Sequence, residues 1–272
     1  MISTHRLQNK WVVITGATAG IGKACAEAFA EAGSNLIITG RREARLKDLQ
    51  TSLIKNHSVK VEIRSFDVRD RRACSEFVHS LDHSVDILIN NAGLAVGKDP
   101  VDQAEFDDWD RMIDTNIKGL LTMTRLIVPG MKERNSGHVI NIGSIAGHEA
   151  YAGGVVYCAT KFAVNAITQS TKKDLHGTHI RVSSVSPGLV ETEFSNVRFK
   201  GDDESADQVY EGMEPLTAAD IAEIVLFTAS RPDHVNILDT IVYPVQQSSS
   251  TMVDRNRCKF SISHLQHHFY YF

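Results

Sequence analysis

"WVVITGATAGIGKA", Trp11 to Ala24, decides the fold. An apolar, β-branched run closes on Thr15, and Gly16, Gly20 and Gly22 follow before an alanine-rich stretch of helical composition. Glycines between a strand and a helix permit a tight turn and let a pyrophosphate approach the backbone, with the free N–H groups of the helix N-terminus facing the anion. Gly16, Ala17, Thr18, Ala19, Gly20, Ile21 and Gly22 are therefore the candidate phosphate turn. Their G-x-x-x-G-x-G spacing differs from the usual G-x-G-x-x-G, and turns collect glycine anyway. The place between strand and helix is what makes it a dinucleotide signal.

Outward from this stretch the same alternation recurs. "NLIIT", "VEIRSF", "DILIN", "HVINI", "IRVSSVS" and "TIVYPV" read as strands, and segments such as "GKACAEAFAEAG", "REARLKDLQTSLIKN" and "AEFDDWDRMIDTNIKGLLTMTRLIVPGM" read as helices. Apolar strands joined by helical crossovers predict an α/β single domain, a doubly wound (Rossmann-type) parallel sheet of seven strands with helices on both faces. Such sheets bind ligands beyond the carboxyl ends of their strands. The domain is expected over residues 1–247, and residues 248–272 read as a C-terminal tail, frayed or docked, because composition shifts after "VYPVQQSSST".

The balance of the chain excludes little by itself. Of 272 residues, 42% are hydrophobic and 23% charged, with net charge -4, so nothing suggests a nucleic-acid partner. Cys25, Cys74, Cys158 and Cys258 form no C-x-x-C pair and predict reduced thiols. No apolar run reaches the ~18 residues of a membrane span and no signal-peptide pattern opens the chain, so a soluble cytoplasmic protein is expected. His264, His267 and His268 have no second cluster to complete a metal site, and no metal is expected.

The end of the second strand names the cofactor class. NAD-binding domains commonly carry an acid there for the ribose diol, whereas "LIITGRRE" offers Arg41 and Arg42. Two guanidiniums suit a 2′-phosphate and point to NADP. In "SFDV", Asp67 and its neighbour Val68 fall at the adenine, where Asp67 is placed to accept from the amine; a helix N-cap is the alternative for that carboxylate.

Candidate catalysis lies further on. "HVINIGSIAG" brings Ser144 to the end of the fifth strand, and Tyr157 and Lys161 share a helical face at i and i+4. A neighbouring ammonium and a positive nicotinamide ring favour phenolate, so Tyr157 can exchange a proton with an alcohol or carbonyl oxygen. Ser144 can bond the same oxygen, and Asn116 in "DTNIKG" is placed to position a water and relay protons from Lys161.

"TGATAGIG", "NNAG", Asn116, Ser144, "YCATK" and "SPGLVET" occur together and in this order. In this the chain resembles the short-chain dehydrogenase/reductase family from about Trp11 to Gln247. The resemblance implies a tetrad of Asn116, Ser144, Tyr157 and Lys161, with Lys161 also on the nicotinamide ribose. It implies that Asn91 and Gly93 line the adenosine side, and that Pro187, Gly188, Val190 and Thr192 border the nicotinamide amide and phosphates. It also implies a homotetramer. "NNAGLAVG", "GSIAGHEAYAGG" and "GLVETEFSNVRFKGDDE" are similar to a branch of NADP-dependent 3-hydroxy acid dehydrogenases acting on L-serine, L-allo-threonine and 3-hydroxyisobutyrate-type substrates. A small acid needs a cation, and Arg198 or Lys200 is the expected carboxylate contact beside Ser144 and Tyr157. A general NADPH-dependent carbonyl or 3-oxoacyl reductase shares the tetrad and is the alternative; an NADP sensor without turnover would have no need of a proton relay.

Overall fold

In the computed structural model, which describes residues 4–255, each β-rich run becomes a strand. β1 (Trp11–Ile14), β2 (Asn35–Gly40), β3 (Val61–Ser65), β4 (Ile87–Asn90), β5 (Gly137–Ile142), β6 (Ile180–Pro187) and β7 (Asp239–Val242) form one sheet in the order β3-β2-β1-β4-β5-β6-β7. All pairs are parallel. The helices are α1 (Gly20–Glu31), α2 (Glu43–Asn56), α3 (Arg71–His79), α4 (Phe106–Ile113), α5 (Leu120–Glu133), α6 (Val155–Asp174), α7 (Phe194–Arg198), α8 (Asp203–Gln208) and α9 (Ala218–Ala229).

Strand side chains alternate between two cores. Val12, Ile14, Leu36, Ile38, Ile140 and Ile142 pack with Phe29 of α1, Leu46 and Leu49 of α2, and Ile221 and Val225 of α9. Val13, Ile37, Leu88, Val139 and Val182 face the other way, onto Phe77 of α3 and Met123, Ile127 and Met131 of α5. Burial on both faces explains why the central strands β1, β2, β4 and β5 read as largely apolar runs. The chain winds to β2 and β3 on one side of β1 and returns to β4 on the other, so Ile14 pairs with both Ile38 and Ile89. That reversal opens the crevice in which doubly wound sheets hold their ligands.

One element differs from its sequence reading. The helix expected across "AEFDDWDRMIDTNIKGLLTMTRLIVPGM" is interrupted by a π-helical turn over Asp114–Gly119, between α4 and α5. Thr115 Oγ1 donates back to the Arg111 carbonyl at 2.8 Å, and the Asn116 side chain reaches sideways to Leu94. One bond within the helix and two across to the loop after β4 accompany the widened turn, a distortion that recurs at functional sites. After β7 the chain folds back, with Gln247 bridging antiparallel to Val253 and Asp254 N donating to the Gln246 carbonyl at 2.8 Å. Among the described residues no helix is long and apolar enough to cross a membrane.

Candidate active site

A cavity of about 960 Å³ opens at the carboxyl ends of the strands. It is lined by Gly16, Thr18, Ala19, Gly20 and Ile21 after β1, Arg41 and Arg42 after β2, and Asp67 and Val68 after β3. Asn91 and Gly93 follow β4, Ser144 follows β5, Tyr157 and Lys161 come from α6, and Pro187, Gly188, Val190 and Thr192 close the far side. Residues spread over most of the chain thus meet on one wall.

The glycine turn is tight and closely packed. Gly16 has φ +69°, a left-handed backbone that other residues rarely adopt. A Cβ on Gly22 would collide with the Asn91 amide and the Gly16 carbonyl, so only glycine lets α1 start this close to β4. Asn91 Nδ2 donates to the Thr15 and Gly16 carbonyls at 2.9 and 3.1 Å, tying the turn across the crevice. Ala17 and Gly22 do not line the cavity. Ala17 is fully buried beneath the turn, its N–H donating to the Thr39 carbonyl, and Gly22 serves by close packing. On the β2 side Arg42 donates to Thr18 Oγ1 at 2.8 and 3.1 Å and to Glu193 at 2.9 Å. Asp67 is held by Arg69 at 2.7 Å and faces Arg41 at 3.8 Å. Partial burial opposes its ionisation, but the bonds from Arg69 prevail and keep its carboxyl below the usual range. The N-cap of α3 is Asp70, not Asp67.

Catalytic candidates converge at the other end. Ser144 caps a short 3-10 turn, its Oγ accepting from Ala146 N at 3.1 Å, which leaves the hydroxyl hydrogen free to donate. Tyr157 and Lys161 are both buried, with the lysine Nζ 5.9 Å from the tyrosine ring centroid and donating to the Ile142 carbonyl at 2.9 Å. Burial lowers the Lys161 pKa from 10.5 to about 8. Burial and the nearby Tyr151 push the Tyr157 phenol well up, against hydrogen bonding to Ser144 and the charge of Arg198. Asn116 lies off the cavity wall because its amide is fully engaged: Oδ1 accepts from Leu94 N at 2.9 Å, and Nδ2 donates to Leu94 O at 2.8 Å and Thr160 Oγ1 at 3.0 Å. Its side chain fastens the loop after β4 to the π-turn and to α6.

Of the two expected carboxylate contacts, Arg198 lines the cavity and Lys200 does not. Lys200 Nζ pairs with Asp108 at 2.8 Å. The Arg198 guanidinium carbon sits 5.4 Å from the Tyr151 ring and 5.8 Å from the Tyr157 ring, and its Nε has no hydrogen-bond partner although it is buried. Tyr151, Phe194 and Tyr210 also line the site, Phe194 lying 5.7 Å from Tyr157 ring to ring. None of these three was legible in the sequence, since no spacing links them to Tyr157. Ser250, Thr251, Val253 and Arg255 close one side, with Ser250 N donating to Glu149 at 3.1 Å and Arg255 to the Val209 and Glu211 carbonyls. Among the described residues no group of three or more His, Cys, Asp or Glu is placed to hold a metal ion; His264, His267 and His268 lie outside the described residues.

The sequence pattern of the family described as short chain dehydrogenase matches residues 10–203. The chain belongs to that family. This short-chain dehydrogenase is 51% identical over 241 residues to the NADP-dependent 3-hydroxy acid dehydrogenase of Salmonella typhi, covering 87% of this chain and 96% of that one. It is 43% identical over 256 residues to the NADP-dependent 3-hydroxy acid dehydrogenase of Schizosaccharomyces pombe, covering 93% and 99%. Among solved structures it is similar to the closed form of a serine dehydrogenase complexed with NADP+, with TM-score 0.85 and 48% identity over 88% of this chain and 97% of that one. In this fold Ser144 follows β5, and Tyr157 and Lys161 lie in the first two turns of α6.

Proposed function

We propose that this short-chain dehydrogenase oxidises small 3-hydroxy acids of the L-serine, L-allo-threonine and 3-hydroxyisobutyrate type to 3-oxo acids, and reduces them in reverse, with NADP. The observation that carries the substrate class is Arg198, a half-buried arginine whose buried Nε has no partner and whose guanidinium lies beside the acid/base tyrosine. A carboxylate two bonds from the reacting carbon satisfies it through a charge-assisted bond. The names of the relatives point the same way.

The residues present fit NADP. The glycine turn after β1 accepts the pyrophosphate, Arg41 and Arg42 face the 2′-phosphate, and Asp67 and Val68 border the adenine. Asn91 and Gly93 lie on the adenosine side, Lys161 and Tyr157 at the nicotinamide ribose, and Pro187, Gly188, Val190 and Thr192 along the amide and phosphates. When bound, NADP supplies the hydride acceptor. Tyr157 takes the hydroxyl proton of the substrate while Ser144 donates to the same oxygen, which holds it against the phenol. Burial alone holds Tyr157 as the phenol, so the phenolate depends on the positive charge of a protonated Lys161 and of the nicotinamide ring when bound, and a pKa of about 8 leaves Lys161 largely protonated at neutral pH. Asn116 keeps the wall behind them in register.

The test follows NADPH formation with NADP or NAD over both serine enantiomers, L-allo-threonine, 3-hydroxyisobutyrate, 3-hydroxybutyrate and an uncharged secondary alcohol. Turnover of the acids with NADP supports the reading. Silence on every acid, with reduction of carbonyls or acyl thioesters by NADPH, overturns the substrate and leaves the tetrad. We further assign residues 1–247 to the catalytic domain and 248–272 to a tail, and place the enzyme in the cytoplasm as a homotetramer. Support for assembly is the family resemblance together with exposed Phe106, Leu121, Val155 and Phe162 on α4, α5 and α6. A light-scattering mass of one subunit would remove it.

A further inference from the structure

Glu193 stands at the N-cap of α7, the short helix that brings Phe194 and Arg198 over Tyr157. Its carboxylate is gripped from α2, far away in sequence. Arg42 reaches it at 2.9 Å, and Arg45, one helical turn further along, at 2.6 and 2.9 Å. Arg42 divides its fork, one edge on Thr18 of the glycine turn and the other on Glu193. So the carboxylate occupies a guanidinium edge on the wall that the proposed function gives to the cofactor's 2′-phosphate. The other end of α7 is tied separately, the Arg198 carbonyl accepting from Gly97 N at 2.9 Å.

We infer that Glu193 is an internal competitor for the 2′-phosphate, so that cofactor entry releases α7 from α2 and ties the mobility of the substrate-facing helix to the phosphate that distinguishes NADP from NAD. The inference rests on the NADP reading of the site. Its physical basis is a difference in charge and in acceptor count. A phosphate monoester carries about −1.5 to −2 at neutral pH and three acceptor oxygens, against one charge and two oxygens on the carboxylate, so it wins Arg42 and Arg45. A cofactor without that phosphate leaves the Glu193 bonds standing. Both arginines and the glutamate are about half exposed, so the latch is weak enough to open on binding. Arg45, which no motif picked out, becomes a third guanidinium for the phosphate.

The test uses the full chain and Glu193→Gln, with 2′,5′-ADP and ADP as probes that carry no nicotinamide. Calorimetric titration gives the affinities, and hydrogen exchange across residues 193–199 reports the helix. In E193Q, 2′,5′-ADP is expected to bind about three- to tenfold tighter, the range two exposed ion pairs supply, with ADP changed by less than about twofold. In the wild type, 2′,5′-ADP is expected to raise exchange across 193–199 where ADP does not, and in E193Q exchange is raised before any ligand is added. An equal change for both probes reports general charge removal and overturns the inference, as does an exchange pattern indifferent to 2′,5′-ADP. Wild-type binding of ADP as tight as 2′,5′-ADP overturns the NADP reading itself. Preference for 2′,5′-ADP that E193Q leaves unchanged overturns only the latch.

Discussion

In the proposed reaction Tyr157, Lys161 and Arg198 have separable roles, and each can be removed by itself. Tyr157→Phe deletes the exchangeable proton and keeps the ring against Phe194, so turnover should fall about 10²- to 10⁴-fold, far more than NADP affinity, read by steady-state kinetics and titration. Arg198→Met should raise KM for the hydroxy acids about 10- to 100-fold, the worth of a hydrogen bond to a charged group, while an uncharged alcohol is unaffected. Lys200→Ala, whose partner is Asp108, should move neither value by more than about twofold, as for an exposed ion pair. Lys161 has a stability signature as well. Its folded pKa of about 8 lies below the ordinary 10.5, so between those values the unfolded chain binds more proton and stability rises with pH. Below pH 8 the folded protein bears the full cost of a buried charge. Ligand-free Lys161→Met should therefore be inactive yet more stable at pH 7 by about 2 kcal/mol, with the advantage shrinking toward pH 10 in urea unfolding.

At the scale of elements, the central strands and the glycine turn were legible because burial on both faces favours apolar, β-branched runs and a tight turn demands glycine, while the half-exposed edge strands β3 and β7 showed through their β-branched residues. The π-turn at Asp114–Gly119 was not. Its sequence "DTNIKG" has nothing that separates it from the helix on either side, and the widening goes with bonds to Leu94, remote in the chain. Asn116→Ala should therefore be felt in the whole element. Leu94 N and O lose their partner together, and Thr160 Oγ1 loses a donor. About 2 to 4 kcal/mol of stability should go in denaturant unfolding, with activity lost more than cofactor affinity. Substitution of Asn116 by Asp keeps the acceptor but sets a buried carboxylate against the Leu94 carbonyl, and should recover little of the loss.

For the molecule as a whole, the cavity is completed by a segment that no motif announced. Ser250, Thr251, Val253 and Arg255 form one of its sides, and Gln247 holds the Leu189 N–H at 2.9 Å beneath them. A chain ended after Gln247 keeps every strand and both cores. It should unfold cooperatively and bind NADP, but its KM for the hydroxy acids should rise at least several-fold in kinetics run beside the full chain. An unchanged KM would show that residues 248–255 only cover the site.

By itself the sequence determined the doubly wound sheet, the phosphate turn, the arginine pair at the end of β2 and the Ser144, Tyr157 and Lys161 set. Each follows from local physics: period-two or continuous burial along a strand, the backbone freedom of glycine, the i,i+4 geometry of a helix. Only the tertiary structure decided which of Arg198 and Lys200 lines the cavity, where the Asn116 amide is spent, and that Glu193 bonds both Arg42 and Arg45. Those outcomes depend on contacts between groups up to 151 residues apart, and an ion pair or a hydrogen bond leaves no periodic mark in the chain that makes it.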